Sequence, residues 1–564
     1  MSYDLVIRSG SVIDGSGGPA RTADVAISGD QIVEVGRVDG RGVREIDADG
    51  ALVTPGFVDV HTHYDGQATW DQHLSPSSSH GVTTVVSGNC GVGFAPVRPA
   101  DHELLIELME GVEDLPGVVL HEGLPWAWES IGDYLDHLDG RRFDVDLATQ
   151  VCHAPLRVYV MGERGANREP STPDEIEAMG RLAAAGIRAG ALGFSTSRTI
   201  NHRTSRGEPT PTLTAARDEL VGIARAVGET GQGVLQVVSD FTAEGEDDTL
   251  LEMLRASGRP LSFSLLQVRP GRSYASRLAL LDRANAEGLE MRAQVAARAV
   301  GILVGLQTSV NPLEKCPTFA AVAALAPHEQ ARTLSQPAQR AQLIAEARAV
   351  VNTSTLAKIF GLGSTPDYEP DESASVAASA AREGVDVIEH YVDLLLADDG
   401  NALLYLPFLN YADGNLDAAS EMIAHPHTIP GLGDGGAHVG TICDASFPTT
   451  WLTHWARDRQ RGTTFDLPFL VQRHTRGTAA AVGLLDRGLL APGHKADINV
   501  IDFDRLQLSA PRVVRDLPAG GKRLLQDAQG YVHTFVSGDE TVTDSRPTGA
   551  LPGRLIRGPK EATR

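Results

Sequence analysis

The chain has 564 residues, of which 42% are hydrophobic and 22% are charged. This composition is ordinary for a folded protein and excludes wholesale disorder, and the length is sufficient for a large buried core. The formal net charge is −24, from 49 basic and 73 acidic residues. So acidic a chain argues against nucleic acid or an anionic membrane as the main partner.

Cysteine usage and the start of the chain bear on the cellular compartment. Four cysteines are widely spaced and form no CxxC pair, which excludes a disulfide framework and a zinc ribbon. The N-terminal segment lacks the basic and apolar regions of a secretory signal, and no apolar run reaches the ~20 residues of a membrane helix. We therefore expect a cytoplasmic protein with no membrane partner.

Both ends of the chain have the period-two pattern of strands separated by turns. The predicted strands are Tyr3–Arg8, Asp24–Ile27, Gln31–Val35, Ala496–Phe503 and Gly530–Val536. The pattern favours one composite β-sandwich built from residues 1–56 and 485–564. The alternative is two unrelated β segments.

Apolar strands alternate with helical patterns between residues 57 and 484. The predicted strands are Gly56–His61, Thr83–Ser87, Asp146–Val151, Gly190–Ser195, Gly233–Val238 and Leu261–Leu266. Repeated strand–helix units indicate an α/β fold with a parallel sheet. Because no glycine-rich phosphate fingerprint follows the first strand, a (β/α)8 TIM-type barrel is favoured over a dinucleotide-binding fold.

Two segments depart from this alternation. Residues 300–420 are mainly helical, and we interpret them as an insertion that covers the top of the barrel; the alternative is further barrel helices. The tail, residues 546–564, contains glycine, proline and arginine and is expected to be poorly ordered unless it packs on a neighbour.

The strongest local signal for chemistry is the pair His61 and His63, which ends the first strand of this region. Residues i and i+2 of a strand share a face, so the two imidazoles form a natural chelate for a divalent metal. An isolated HxH pair is weak by itself, because most histidines are surface groups. The apolar strand and the Pro-Gly turn before the pair strengthen the metal interpretation.

Two further residues follow apolar strands at the same edge. Cys90, in SGNCGVG, supplies a thiol at the end of the second strand, and a thiolate is a good zinc ligand; a buried structural cysteine is the alternative. Asp434, in GLGDGGAH, fits a late-strand ligand that also moves a proton, although Asp-Gly is also a common turn.

Weaker candidates for contacts with a small-molecule substrate lie after the third and fourth strands. An arginine there could bind a carboxylate with two hydrogen bonds, or it could pair with an acidic neighbour. These candidates are His153, Arg157, Ser195, Arg198 and His202.

Together these motifs resemble the amidohydrolase superfamily and, within it, the D-aminoacylase (N-acyl-D-amino-acid deacylase) branch. The resemblance spans nearly the whole chain and rests on DLVIRSGSVIDGSG, VTPGFVDVHTHYDGQ, HGVTTVVSGNCGVGFAP, GALGFSTS, GLGDGGAH and RGLLAPGHKADINVIDF. It implies a (β/α)8 barrel beside a composite β-sandwich and one or two zinc ions. By the same resemblance His61, His63, Cys90 and Asp434 are metal ligands, and Asp434 is also the general base.

The chain departs from the branch at three positions. The branch has a histidine at the ends of the fifth and sixth strands, where this chain has Gln236 and Gln267. No lysine occurs in the fourth strand, so a bridging carboxylated lysine is not available. Since neutral amide oxygens are poor replacements for imidazole on zinc, one metal ion per chain is favoured over two.

The resulting prediction is a metal-dependent hydrolase of C–N bonds other than peptide bonds, which cleaves a linear amide of an N-acylated amino acid or amine. One alternative is hydrolysis of a cyclic amide, imide or formamide on the same fold. Another is a non-catalytic binding or assembly protein that has lost its site. A homo-oligomeric state is compatible with the sequence, because such states are common among soluble enzymes.

Overall fold

A computed structural model describes residues 2–563. The strands of the described residues are, in chain order, β1 (Ser2–Val12), β2 (Arg21–Ser28), β3 (Gln31–Gly36), β4 (Arg41–Asp47), β5 (Leu52–Pro55), β6 (Phe57–Asp59), β7 (Val82–Ser87), β8 (Asp146–Thr149), β9 (Val151–Cys152), β10 (Gly193–Arg198), β11 (Val234–Ser239), β12 (Leu261–Leu265), β13 (Met291–Val295), β14 (Val300–Val304), β15 (Phe360–Gly361), β16 (Leu404–Leu409), β17 (Thr428–Pro430), β18 (Ile498–Ile501), β19 (Gln507–Leu508), β20 (Arg512–Leu517), β21 (Gly521–Leu525), β22 (Ala528–Gln529), β23 (Tyr531–Val536), β24 (Asp539–Thr543) and β25 (Arg546–Pro547).

The α-helices of the same residues lie mostly between these strands. They are α1 (Gln67–Trp70), α2 (His102–Glu113), α3 (Gly117–Gly123), α4 (Ile131–Asp139), α5 (His153–Met161), α6 (Glu163–Ala166), α7 (Pro173–Ala189), α8 (Arg217–Gly228), α9 (Glu246–Ser257), α10 (Ala275–Ala286), α11 (Pro317–Ala320), α12 (Pro327–Leu334), α13 (Pro337–Val350), α14 (Val376–Glu383), α15 (Val387–Gly400), α16 (Asp417–Ala424), α17 (Phe447–Thr453), α18 (Leu467–Gln472) and α19 (Thr478–Ala481).

Strands from both ends of the chain meet in one nine-stranded sheet. Its order is β25-β24-β23-β18-β5-β1-β2-β3, and β4 pairs with β1. The junction is the antiparallel pair of β5 and β18, in which Thr54 lies opposite Asn499 and Val53 opposite Val500. Alternating apolar residues such as Ile7 and Ile498 are fully buried on one face, which is the driving force for joining the two ends.

The middle of the chain forms two parallel sheets. One has the order β6-β7-β8 and the other β17-β13-β12-β11-β10-β9. Only Gln150 separates β8 from β9, so one strand path leads from the first sheet into the second. Beyond the far ends of the two sheets, Thr62 forms a parallel bridge with Gly435. The fold is thus a mixed α/β arrangement whose parallel strands direct their carboxyl ends to a common region.

The helices between the strands are specified locally. Helix α7 begins after Thr172, whose side chain accepts a hydrogen bond from the Glu175 amide in a capping box, and Pro173 occupies its first turn. It ends at Gly190, where φ is +119°. These are the start and stop signals that the physical chemistry of helix ends favours.

The segment between β14 and β16 has its own hydrophobic core. Helices α11 to α15 pack around buried residues that include Leu334, Leu343 and Val392. The segment also contains a three-stranded antiparallel sheet, β14-β16-β15, which the helical pattern of the sequence did not predict. A loop after β16 contacts the end of β12: the backbone amide of Gln267 donates a 2.7 Å hydrogen bond to Asn410 Oδ1.

The C-terminal tail packs along β8. Gly553 exchanges backbone hydrogen bonds with Phe143, and the Ile556 amide donates to the Leu147 carbonyl at 2.7 Å. Leu555 and Ile556 are buried. The tail therefore packs on a neighbouring strand of the same chain. The sequence analysis expected the tail to be ordered only if it packed on a neighbour.

No helix within residues 2–563 combines the length and the apolar composition that crossing a bilayer requires.

Candidate metal centre

The two histidines that follow β6 lie side by side under the loop after β17. Both side chains are 1% exposed, and their ring centroids are 5.5 Å apart. The Asp434 amide donates to the His61 carbonyl at 3.1 Å, and the His63 amide donates to the Gly435 carbonyl at 2.8 Å. These backbone bonds place Asp434 Oδ1 3.4 Å from His61 Nε2 and 3.7 Å from His63 Nε2.

Cys90 reaches the same point from the loop after β7. Its Sγ lies 3.3 Å from His61 Nε2. The Cys90 amide donates to Gln236 Oε1 at 3.0 Å, and the next amide, of Gly91, donates to Ser195 Oγ at 3.0 Å. The side chains of the fourth and fifth parallel strands of the region therefore hold the cysteine loop against the two histidines.

Two residues of this cluster, and a third that follows it in the chain, have left-handed backbone conformations. The φ angles are +56° at Cys90, +48° at Asp434 and +49° at His438. Such values are uncommon outside glycine and cost free energy. Their concentration around one cluster indicates that the surrounding structure holds these side chains in place for function rather than for stability.

The chemistry of the donor set fits a divalent metal ion. The ligand atoms of His61, His63 and Cys90 all lie within 4.8 Å of one another, and Asp434 Oδ1 lies beside both imidazoles. Two nitrogens, one sulfur and one carboxylate oxygen are ligands that zinc accepts in a four-coordinate site. Among the described residues, no other group of three His, Cys, Asp or Glu side chains approaches this closely.

Burial dominates the electrostatics of the cluster. It lowers the pKa of His63 to about 4, so this imidazole is in the neutral form that ligates metals. Burial raises the pKa of the Cys90 thiol well above its usual value, and the charges of Glu113 and Asp434 add to this effect. Burial also acts to raise the pKa of Asp434, but the hydrogen bond to His63 and the nearby histidines lower it overall.

The structure adds two side chains that the sequence analysis did not identify. Glu113, the last residue of α2, is 1% exposed, and its Oε1 lies 3.2 Å from His63 Nδ1. Gln294, in β13, has its Oε1 2.5 Å from His61 Nδ1. Each therefore contacts the ring nitrogen of a histidine that faces away from the cluster.

One of the predicted substrate-contact residues lies beside the cluster. A 2.8 Å hydrogen bond joins His202 Nδ1 to Ser197 Oγ. The pKa of His202 is lowered to about 3, chiefly by burial and to a smaller extent by the neighbouring His438 and His63. Its side chain is therefore a neutral imidazole at the edge of the candidate centre.

The other predicted contact residues have partners within the fold. His153 Nε2 lies 2.9 Å from Glu219 Oε1, and Arg157 binds both oxygens of the same carboxylate. Arg198 donates to Glu246 at 2.7 Å and 3.0 Å. Ser195 is fully buried and holds the cysteine loop, since it accepts from the Gly91 amide and donates to the Gly88 carbonyl.

The two glutamines that replace the expected histidines also have structural partners. Gln236 Oε1 accepts from the Cys90 amide, as described above. Gln267 Nε2 donates to Asp413 Oδ2 at 2.7 Å, and its Oε1 accepts from the Ala412 amide at 3.2 Å. The Gln267 side chain is thus bonded to the loop after β16.

Metal-dependent hydrolases are a class of proteins in which side chains of these types lie at the carboxyl ends of parallel strands. Comparison with known proteins gives the family. The model of the amidohydrolase family matches residues 44–542, so the chain belongs to the amidohydrolase family.

Individual relatives narrow this assignment. An N-acyl-D-glutamate deacylase of Alcaligenes xylosoxydans xylosoxydans is 29% identical, and the match covers 98% of this chain and 96% of the relative. A D-aminoacylase of the same organism is 33% identical over 41% of this chain, but the match spans only 43% of that relative.

Among solved structures, the N-acyl-D-glutamate deacylase of Bordetella bronchiseptica superimposes with a TM-score of 0.66 and 26% identity, covering 99% of this chain and 100% of that one. It was solved with zinc and a phosphonate that mimics the tetrahedral intermediate of the reaction. The predictions of a hydrolase with a metal cofactor and of the D-aminoacylase branch are thereby confirmed.

Proposed function

We propose that the protein hydrolyses the linear amide of an N-acylated amino acid or amine. Two observations carry the proposal: the ligand atoms of His61, His63 and Cys90 lie within 4.8 Å of one another, and Asp434 Oδ1 lies 3.4 Å and 3.7 Å from the two imidazoles. The relative that aligns along nearly the whole chain is by name a deacylase of an N-acylated amino acid, and this supports the same class of small-molecule substrate here.

A single zinc ion is the cofactor we propose. His61 Nε2, His63 Nε2, Cys90 Sγ and Asp434 Oδ1 would hold it. When bound, zinc lowers the pKa of a water molecule and polarises the carbonyl that the water attacks. Within residues 2–563 there is no comparable donor set for a second ion. Gln236 and Gln267 stand where the branch has histidines, and the side-chain oxygen of each already accepts a hydrogen bond within the protein.

We propose Asp434 as the residue that moves the proton. Of the four donors it is the most accessible, with 17% of its side chain exposed, and the backbone bonds of the loop fix its carboxylate beside the two imidazoles. Oδ of Asp434 would accept a proton as water adds to the amide carbon, and it would return that proton to the leaving nitrogen as the C–N bond breaks. The products are a carboxylic acid and an amine.

The architecture around this centre is also a proposal in part. We propose that β6 to β13 and β17 close into a (β/α)8 barrel, which the Thr62–Gly435 bridge between the two parallel sheets supports. The proposed domains are the β-sandwich of residues 1–56 and 485–564, the barrel of residues 57–484, and an insertion at about 300–420. The cytoplasmic location and a homo-oligomeric state remain predictions.

The proposal is tested with a substrate panel. Purified protein loaded with one equivalent of zinc is assayed against N-acyl amino acids of both hands, and against cyclic amides and imides as the comparison. Turnover of linear N-acyl amino acids, lost on chelation and restored by zinc, supports the proposal. Preferential hydrolysis of cyclic amides would overturn the substrate class, and inactivity of the zinc-loaded protein on every substrate would overturn the catalytic assignment.

A further inference from the structure

The two histidines of the cluster face it with the same ring nitrogen. Nε2 of His61 lies 3.3 Å from Cys90 Sγ and 3.4 Å from Asp434 Oδ1, and Nε2 of His63 lies 3.7 Å from the same carboxylate oxygen. In both rings Nδ1 points the other way, towards an oxygen atom. The fold therefore presents both imidazoles to the ligand position in one orientation.

The oxygen that faces His61 belongs to a neutral amide. Gln294 Oε1 lies 2.5 Å from His61 Nδ1, and Gln294 Nε2 donates to Ser262 Oγ at 3.0 Å on the neighbouring strand. An amide oxygen can only accept a hydrogen bond, so Nδ1 of His61 carries the proton. The lone pair of Nε2 is then free for a metal ion.

The oxygen that faces His63 belongs to a buried carboxylate. Glu113 Oε1 lies 3.2 Å from His63 Nδ1, and neither atom forms a hydrogen bond within residues 2–563, so each is an orphaned buried polar atom beside the other. The basic side chains within 4 Å of the Glu113 carboxyl group, among residues 2–563, are two histidines: His63 and the half-buried His438, whose Nε2 is 3.6 Å from Oε2. A fully buried glutamate with no Lys or Arg beside it is uncommon in proteins, which argues against a purely structural role.

We propose that Glu113 and Gln294 are positioning residues, which hold His63 and His61 with Nδ1 protonated and Nε2 directed at the metal. This inference rests on the proposed metal-dependent function. Each residue acts through its histidine, as second-layer carboxylates and carbonyls do in other metal centres. Glu113 differs in this respect from Asp434, because Glu113 lies beside His63 Nδ1 whereas Asp434 lies beside His63 Nε2.

The test compares zinc affinities of full-length variants by competition with a chromophoric chelator. Glu113→Leu fills a similar volume without an acceptor, and we expect zinc to bind about 10–100-fold more weakly. Glu113→Gln keeps a carbonyl oxygen for Nδ1 and is expected to restore most of the affinity. The backbone bond from the His438 amide to the Glu113 carbonyl survives both changes, so the Asp434 loop keeps its anchor.

Two further variants make the test specific. Gln294→Leu removes the acceptor of the other histidine, and we expect a loss of the same order. Glu219→Gln is the matched control, because Glu219 is also a buried carboxylate paired with a histidine, at 2.9 Å from His153 Nε2, but it does not contact the cluster. Its zinc affinity is expected to equal that of the wild type.

Replacing zinc with cobalt gives an absorption signal that a change in folding stability alone would not alter. The thiolate-to-cobalt absorption of the wild type is expected to weaken in Glu113→Leu and Gln294→Leu and to persist in Glu113→Gln and Glu219→Gln. A positioning role requires a loss of zinc affinity of about tenfold or more. If both leucine variants bind zinc within about threefold of the wild-type affinity, the inference is wrong while the proposed function stands. A wild type that binds no metal overturns both.

Discussion

Asp434→Asn is expected to abolish most of the turnover while leaving the protein folded. Asparagine has the size of aspartate and tolerates the left-handed backbone that this position requires, with φ of +48°. The variant keeps the backbone bonds to His61 and His63 but loses the carboxylate that lies 3.4 Å and 3.7 Å from the two imidazoles.

The expected magnitude follows from the role of a proton-transfer group. Such a group contributes about 10²–10⁴ in rate, which corresponds to about 3–5 kcal/mol in the activation free energy. Because Asp434 is also a proposed ligand of the metal, zinc is expected to bind more weakly as well. The assay is kcat with an N-acyl amino acid at saturating zinc, with bound metal measured in the same samples.

A matched variant separates this effect from backbone strain. Asp49 also has a left-handed conformation, with φ of +46°, and lies in an exposed turn before β5. Asp49→Asn is expected to have wild-type kcat. Loss of a proton-transfer group is expected to lower kcat by about 10²–10⁴-fold. If zinc-loaded Asp434→Asn keeps more than about a tenth of the wild-type kcat, then Asp434 is not the general base.

Three other outcomes are expected. Glu369→Gln removes the carboxylate bonded at 3.1 Å to the buried side chain of Arg459, while Asp417 still pairs with Arg459 at 2.7 Å. The variant is expected to lower the free energy of unfolding by about 2 kcal/mol in urea titrations at pH 7. Burial acts to raise the pKa of Glu369, but its hydrogen bonds to cationic neighbours lower the pKa from 4.5 to about 2. The stabilisation by the ionised Glu369 is therefore complete above pH 4.5 and is lost as the pH falls towards 2. The difference in unfolding free energy between variant and wild type should shrink over that range, and a constant difference would contradict the reasoning. Gly91→Ala places a Cβ 2.8 Å from the Thr196 Cα at a φ of +67°, and is expected to weaken zinc binding and to lower Tm. Gly207→Ala, at a φ of +82° with open space around it, is expected to lower Tm slightly and to leave zinc affinity unchanged. If Gly91→Ala and Gly207→Ala changed zinc affinity equally, the steric clash at Gly91 would not be the cause.

The positions of the candidate ligands could be predicted because strand geometry fixes them. His61 and His63 alternate with Thr62 at a strand end, and side chains two apart on a strand share a face. Cys90 and Asp434 each follow an apolar strand, and parallel strands bring their carboxyl ends together. A short-range pattern was sufficient for these four residues, because the long-range contact follows from the topology.

Glu113 and Gln294 could not be found in the same way. Glu113 ends an amphipathic helix on the face of Met109 and Ile106, so an acidic residue at an apolar position was the available signal. Gln294 lies in β13, a strand of five residues that the pattern did not separate from its surroundings. The role of each depends on a histidine far away in the sequence, and spacing contains no information on that contact.

His153 and Arg157 illustrate the converse problem. They follow a strand just as the ligands do, yet their side chains bond to Glu219 on a different helix. A sequence pattern shows that a polar residue lies near the end of a strand. It does not show whether another part of the chain supplies a partner.

The most direct test of the account is the metal content of the purified wild-type protein, measured by elemental analysis after reconstitution with zinc and removal of the excess. The donor set of His61, His63, Cys90 and Asp434 predicts about one zinc ion per chain, and Cys90→Ala should bind it less tightly. Two ions per chain would show that residues outside this set complete a second site. No bound ion after reconstitution would contradict the metal-dependent function itself.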